Sequence, residues 1–268
     1  MKSDRRNEEE SDSDLLRERF SSDPAAFLAD NLADVRERIA AACARARRPV
    51  GTVRLLPVSK TVPESVLRIA HSLGLEELGE NKVQEARAKA AAMADLPIRW
   101  SVVGHLQSNK AKYVARFASE FQALDNLGLA RTLHERLRLE DRKIDVLIQV
   151  NTSGEATKFG LAPDQVEAFL EELPAYPRLR PRGLMTLALF SPDPDRVRPC
   201  FERLRLLRDR LDGRTAAGLL PELSMGMSGD YEMAIEEGAT IVRVGRGIFG
   251  RRPGSDAHYW PGLIPEGS

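Results

Sequence analysis

The run Leu55-Leu56-Pro57-Val58-Ser59-Lys60, followed by Thr61-Val62-Pro63, reads as a short buried strand that ends on a lysine and turns into a helix. Strand, turn and helix form the unit from which parallel sheets are built, and this chain repeats it. Strand candidates span residues 53–59, 75–79, 99–103, 121–124, 145–150, 182–187, 222–225 and 240–245. Helical stretches lie between them, over 63–73, 82–93, 110–117, 127–139, 163–173, 195–211 and 231–236. Another helix comes before the first strand: Leu32, Val35, Ile39 and Cys43 recur at helical spacing until Arg47-Arg48-Pro49 stops it. Eight short apolar strands alternating with helices predict an α/β fold, a single (β/α)8 TIM barrel. A doubly wound open sheet is the alternative.

The chain has 268 residues, enough for one large core of the barrel type. Residues 1–22 read as a charged, disordered tail, 23–253 as the barrel and 254–268 as a C-terminal tail. Lysine plus arginine equals aspartate plus glutamate, at 40 each, so there is no basic excess to suggest a nucleic-acid partner. The opening residues contain no apolar core of a secretory signal, and no run is long enough to span a membrane. Cys43 and Cys200 form neither a disulfide framework nor a metal spacing and fit a reducing cytosol. His71, His105, His134 and His258 are scattered and predict no metal site.

In a (β/α)8 barrel, functional groups sit where strands end and loops begin. Lys60 follows the first strand, and Gly79-Glu80-Asn81 the second. Gly104-His105-Leu106-Gln107-Ser108-Asn109-Lys110 follows the third, Asp125 the fourth and Asn151-Thr152 the fifth. Met185-Thr186 ends the sixth, Ser224 to Asp230 follows the seventh, and Arg243-Val244-Gly245-Arg246-Gly247 ends the eighth. A buried amine either snorkels to solvent or does chemistry, and a partly neutral amine forms Schiff bases. Gly245 and Gly247 would admit an anion close to backbone N–H groups, at the loops where this fold commonly holds phosphate. Ser228 reads as the N-cap of the helix near Asp230, facing the same place. Arg243 shares a strand face with Gly245, so it either pairs with a neighbouring carboxylate or donates to a ligand heteroatom. An amine, a phosphate cradle and an arginine meet the needs of pyridoxal 5′-phosphate. A sugar-phosphate aldolase, with Glu80 or Asp125 as base, is the alternative.

These residues resemble the pyridoxal phosphate homeostasis protein family. The resemblance rests on Pro57-Val58-Ser59-Lys60-Thr61, Gly79-Glu80-Asn81-Lys82-Val83-Gln84-Glu85, Gly104 to Lys110, Val150 to Glu155, Lys158-x-Gly160, Gly183-Leu184-Met185-Thr186, Ser224-Met225-Gly226-Met227-Ser228-x-Asp230 and Arg243-Val244-Gly245-x-x-Ile248-Phe249-Gly250. It implies a barrel of the alanine-racemase N-terminal-domain type, the type III fold of pyridoxal phosphate proteins. It also implies that Lys60 carries the cofactor as an internal aldimine, that Arg243 faces the pyridine nitrogen, and that Ser228, Gly245 and Arg246 hold the phosphate with Ser224 nearby. Asn81 and His105 match motifs that line the pocket. Arg246 stands where the family usually has threonine. The segment Lys158-Phe159-Gly160 is expected to close over the mouth. The resemblance implies a carrier that buffers pyridoxal phosphate or delivers it to apo-enzymes; the cysteines place it in the cytoplasm, and a monomer is expected, since the racemase-like dimer would rely on a second domain for which the chain has no room. A racemase or lyase of low activity is the alternative, and a tyrosine or cysteine near the cofactor would favour it.

Overall fold

The computed structural model describes residues 19–155 and 157–250. Eight parallel strands, β1 (Arg54–Pro57), β2 (Glu77–Glu80), β3 (Arg99–Val102), β4 (Glu120–Leu124), β5 (Ile144–Gln149), β6 (Leu179–Met185), β7 (Glu222–Met227) and β8 (Ile241–Val244), hydrogen-bond in the order β1-β8-β7-β6-β5-β4-β3-β2. The remaining seam, between β1 and β2, is stitched by a parallel bridge from Val58 to Gly79 and by Ser59 N donating to the Gly79 carbonyl at 2.9 Å. Strand neighbours therefore follow chain order all the way round. An open doubly wound sheet would reverse that order at a switch point, so the barrel replaces it.

The helices are α1 (Pro24–Arg45), α2 (Glu64–Ser72), α3 (Val83–Ala92), α4 (Ala111–Phe117), α5 (Leu127–Leu139), α6 (Val166–Glu172), α7 (Pro194–Leu211), α8 (Tyr231–Glu236) and α9 (Arg246–Phe249). Asp23 caps α1 by accepting from Ala25 N and Ala26 N, both at 3.1 Å, with Pro24 at its first position. The helix buries Leu28, Leu32, Val35, Ile39 and Cys43, the face expected from their spacing. Arg38 and Arg45 fasten it to Glu232 and Glu236 of α8 at 2.6–2.9 Å.

β6 starts earlier than its sequence suggests, because Pro181 lies inside it. Val146 pairs with Pro181 and Leu147 with Gly183, so Arg182 is an extra residue at a bulge. A bulge is where a sheet tolerates a proline. The described end of the expected N-terminal tail packs on the barrel: Phe20 is 1% exposed and meets Phe27 edge-on at 6.4 Å. Residues 1–18 and the expected C-terminal tail lie outside the described residues. Among the described residues, no helix is long and apolar enough to cross a membrane.

Candidate functional site at the barrel mouth

The C-terminal ends of the strands surround a cavity of about 710 Å³. Lys60, Asn81, His105, Ser228, Arg243, Gly245 and Arg246 all line it. Ser224 does not; it is buried behind Arg243 and accepts a hydrogen bond from Arg243 Nη1 at 2.6 Å. Of the tyrosines, Tyr113 lies in α4, Tyr176 follows α6 and Tyr231 opens α8, and none lines the cavity. Tyr259 lies outside the described residues.

Lys60 follows β1 and is only 8% exposed. The residue after it, Thr61, has φ +65°. A β-branched residue in the left-handed region is strained, and such strain persists only where surrounding contacts hold it. Here Thr61 N donates to Glu85 Oε1 at 2.6 Å, and its carbonyl accepts from Arg19 Nη1 at 2.6 Å. On the other side of Lys60, the Ser59 carbonyl accepts from Lys89 Nζ at 2.6 Å. Lys89 also donates to Glu80 Oε1 at 2.6 Å and Glu85 Oε1 at 2.7 Å, so its three donors have three acceptors. Ser59 Oγ donates to Glu80 Oε1 at 2.7 Å. Burial pushes the Glu80 carboxyl up to about 6 against the opposing pull of Lys89. A second, buried lysine and two carboxylates thus fix the backbone on both sides of Lys60.

The loops after β7 and β8 meet as expected, with one correction. Ser228 is not the N-cap of α8; Asp230 occupies that position, and its Oδ1 accepts from Met227 N at 2.6 Å. The Ser228 hydroxyl turns instead to the next loop, accepting from Gly245 N at 3.2 Å and Gly247 N at 3.5 Å. An acceptor oxygen therefore already sits where those amides converge, which marks the place of an anion's oxygen. Gly104 fits the same wall by close approach, since a Cβ there would lie 2.2 Å from the Asn81 carbonyl oxygen.

Arg243 is 3% exposed. It donates to two neutral acceptors, Ser224 Oγ at 2.6 Å and the Thr186 carbonyl at 2.7 Å. Burial lowers its pKa to about 10 despite the opposing influence of Asp230, so it stays a cation at neutral pH. The lining carries the basic side chains Lys60, Lys158, Arg243 and Arg246 against one carboxylate, Asp230. That imbalance suits an anionic ligand.

The expected lid is present. Lys158 Nζ donates to the Ala188 carbonyl at 2.9 Å and pairs with Glu155. Phe159 stacks on His105, with centroids 3.9 Å apart and planes 11° apart, so the β5 loop bridges to the β3 loop. Sequence reading missed the adjoining rim, Leu187 to Pro192, which also lines the cavity. Its apolar start, Leu187-Ala188-Leu189-Phe190, looks like more strand and carries no motif.

The family model described as "Alanine racemase, N-terminal domain" matches residues 31–253, which defines the class of barrel. A protein of Aquifex aeolicus named "Pyridoxal phosphate homeostasis protein" is 44% identical over 223 residues, covering 83% of this chain and 97% of its own. A protein of Pseudomonas aeruginosa with the same name is 44% identical over 226 residues, covering 84% and 96%. The solved structure of PipY from Synechococcus elongatus with PLP bound is 33% identical, with TM-score 0.73, covering 83% of this chain and 100% of that one. The chain therefore belongs to the alanine racemase N-terminal domain family and, within it, to the pyridoxal phosphate homeostasis proteins.

Proposed function

We propose that this chain binds pyridoxal 5′-phosphate at its barrel mouth through Lys60, and holds and delivers it in the cytoplasm as a monomeric carrier. The observation that carries this reading is the convergence of Lys60, the buried Arg243 and the Ser228–Gly245–Gly247 cradle on one cation-rich cavity. The family's name and the PLP-bound relative support it. When bound, the cofactor supplies an aldehyde for a lysine amine and an electron-withdrawing ring. Lys60 supplies that amine from a backbone fixed on both sides. The amides of Gly245, Arg246 and Gly247 and the Ser228 hydroxyl hold the phosphate. Arg243 faces the ring nitrogen and, as a cation at neutral pH, opposes its protonation, which weakens the ring's electron withdrawal. Asn81 and His105 form the wall, and the Phe159 stack slows water entry.

This arrangement favours a carrier over a catalyst, with apo-enzymes that need the cofactor as the recipients. The racemase or lyase reading keeps one observation in its favour: His105 and Lys158 line the cavity alongside Lys60 and could move an α-proton. Exchange of α-hydrogen for deuterium in free amino acids by the loaded protein distinguishes the two.

The test of the cofactor site is the visible absorbance of the purified protein, before and after borohydride, beside Lys60→Ala. A band that borohydride removes, with the cofactor fixed to Lys60 in a peptide map and no band in the variant, is the expected result. No band after added pyridoxal phosphate would overturn the reading and return the barrel to a sugar-phosphate site.

A further inference from the structure

Barrel interiors of this type are filled mainly by branched apolar side chains. This one carries a continuous polar column instead. Arg243 Nη1 on β8 donates to Ser224 Oγ on β7 at 2.6 Å, and Ser224 Oγ donates to Gln122 Oε1 on β4 at 2.6 Å. Gln122 Nε2 donates to Glu120 Oε2 on the same strand at 2.6 Å, and Glu120 Oε1 accepts from Arg54 Nη2 on β1 at 2.6 Å. Ser101 Oγ also donates to Glu120 Oε2, at 2.6 Å. Gln122 and Glu120 are two residues apart, so they share the inward face of β4. Ser101, Glu120, Gln122, Ser224 and Arg243 are all buried.

The column runs one way. Arg243 can only donate, so Ser224 must accept from it and pass its own proton toward Gln122. The Gln122 amide is then fixed with its oxygen toward Ser224 and its nitrogen toward Glu120. Polar groups buried this deeply are costly unless each finds a partner, and apolar side chains would fill the same space without that cost.

We propose that Gln122 and Glu120 are positioning residues for the cofactor site: acting through Ser224, they hold the Arg243 guanidinium in place against the ring nitrogen. The proposal rests on the reading of the mouth as a pyridoxal phosphate site. It also moves Ser224 from the cofactor's phosphate, where the family resemblance put it, to the support of Arg243.

The experiment compares wild type, Gln122→Leu, Ser224→Ala and the double variant. In the cofactor-free proteins, hydrogen exchange of the Arg243 side-chain N–H signals is followed by NMR. In the loaded proteins, pyridoxal phosphate affinity and the pH dependence of the visible band are measured. Each single variant is expected to speed Arg243 exchange, to weaken binding about tenfold or more, and to shift the pH dependence of the band, as for a lost hydrogen bond to a charged group. The double variant is expected to equal the weaker single one, because both cut one chain. Should Gln122→Leu fail to fold, Ser224→Ala carries the test, since it removes a single oxygen. Folded variants with wild-type exchange, affinity within twofold and an unchanged pH profile would overturn the relay and leave the Lys60 site standing. A wild type that shows no band, or none that borohydride fixes to Lys60, would overturn both.

Discussion

The two ends of the barrel each hold an arginine, half-buried at the floor and buried at the mouth, and their surroundings are opposite. At the floor, Arg54 donates to Glu77 at 2.7 Å and Glu120 at 2.6 Å, with Glu222 3.8 Å away. Burial pushes its pKa down, but Glu120 and Glu77 more than offset that and hold it above the usual range. At the mouth, among the described residues, Arg243 donates to a hydroxyl and a carbonyl, and burial brings it down to about 10 against the pull of Asp230. The first arginine is matched by carboxylates in the protein. The second is left with a charge to offer, in a cavity already rich in cations. Arg54 is the less buried of the two, with 26% of its side chain exposed, and it is the acceptors that decide whether the charge serves stability or binding.

The sharpest way to break that contrast is to replace each arginine with methionine. Arg54→Met leaves the buried Glu120 without its cation and brings Glu77 and Glu222 into mutual repulsion, so a loss of about 3–5 kcal/mol is expected. Arg243→Met strands one carbonyl but also removes an ill-compensated buried cation, so its loss should stay below about 2 kcal/mol while cofactor affinity falls at least tenfold. Urea unfolding and a binding titration read the two quantities. Equal stability losses from the two replacements would mean that the mouth is as much a structural cluster as the floor.

A smaller effect lies beside the mouth. Glu80 ends β2, under the Ser59–Lys60 backbone, and its carboxyl is pushed up to about 6 from 4.5, first by burial. The folded protein therefore takes up this proton at higher pH than the unfolded chain does. Stability from this group rises as pH falls through 6 to 4.5 and is missing above 6. Compared with Glu80→Gln, wild type should gain about 2 kcal/mol across that window. Denaturant midpoints of both proteins at the two ends of the window give the difference, in which the other carboxylates cancel. A flat difference would mean that Lys89 and Ser59 fully compensate the charge of the buried Glu80.

The same contrast explains what could be read from the chain. Lys60, Asn81, His105, Ser228, Arg243 and Gly245 were legible because strand ends in a barrel converge, so five of the eight strand-end readings locate one cavity, while Asp125, Asn151-Thr152 and Met185-Thr186 do not line it. The relay was not. The fourth strand candidate began at Phe121 and left Glu120 outside, since a glutamate at the start of an apolar run looks like loop. Gln122 inside that run has meaning only once β4 faces β7 across the barrel. Ser228 was placed correctly at the mouth but given the wrong partner. A local pattern suggests the nearest helix, whereas its hydroxyl meets amides 17 and 19 residues away. The early start of β6 was hidden for a similar reason, because a proline is admissible in a strand only at a bulge that the neighbouring strand creates.

The smallest expected effect concerns the lid, where stability and function should separate completely. Phe159 is 54% exposed, and its ring contact is the stack on His105. Little apolar surface leaves water there on folding, so Phe159→Ala should change unfolding free energy by no more than about 0.5 kcal/mol. The stack joins two loops over the cavity, which can open locally without global unfolding, so losing it should speed cofactor release. Release is read by mixing loaded protein with an excess of an apo-enzyme and following recovery of that enzyme's activity. Faster recovery with an unchanged unfolding midpoint would make the stack a gate. An unchanged rate would show that Lys60 and the phosphate cradle alone set the residence time, and that the mouth, unlike the floor, is held by its ligand and not by its own side chains.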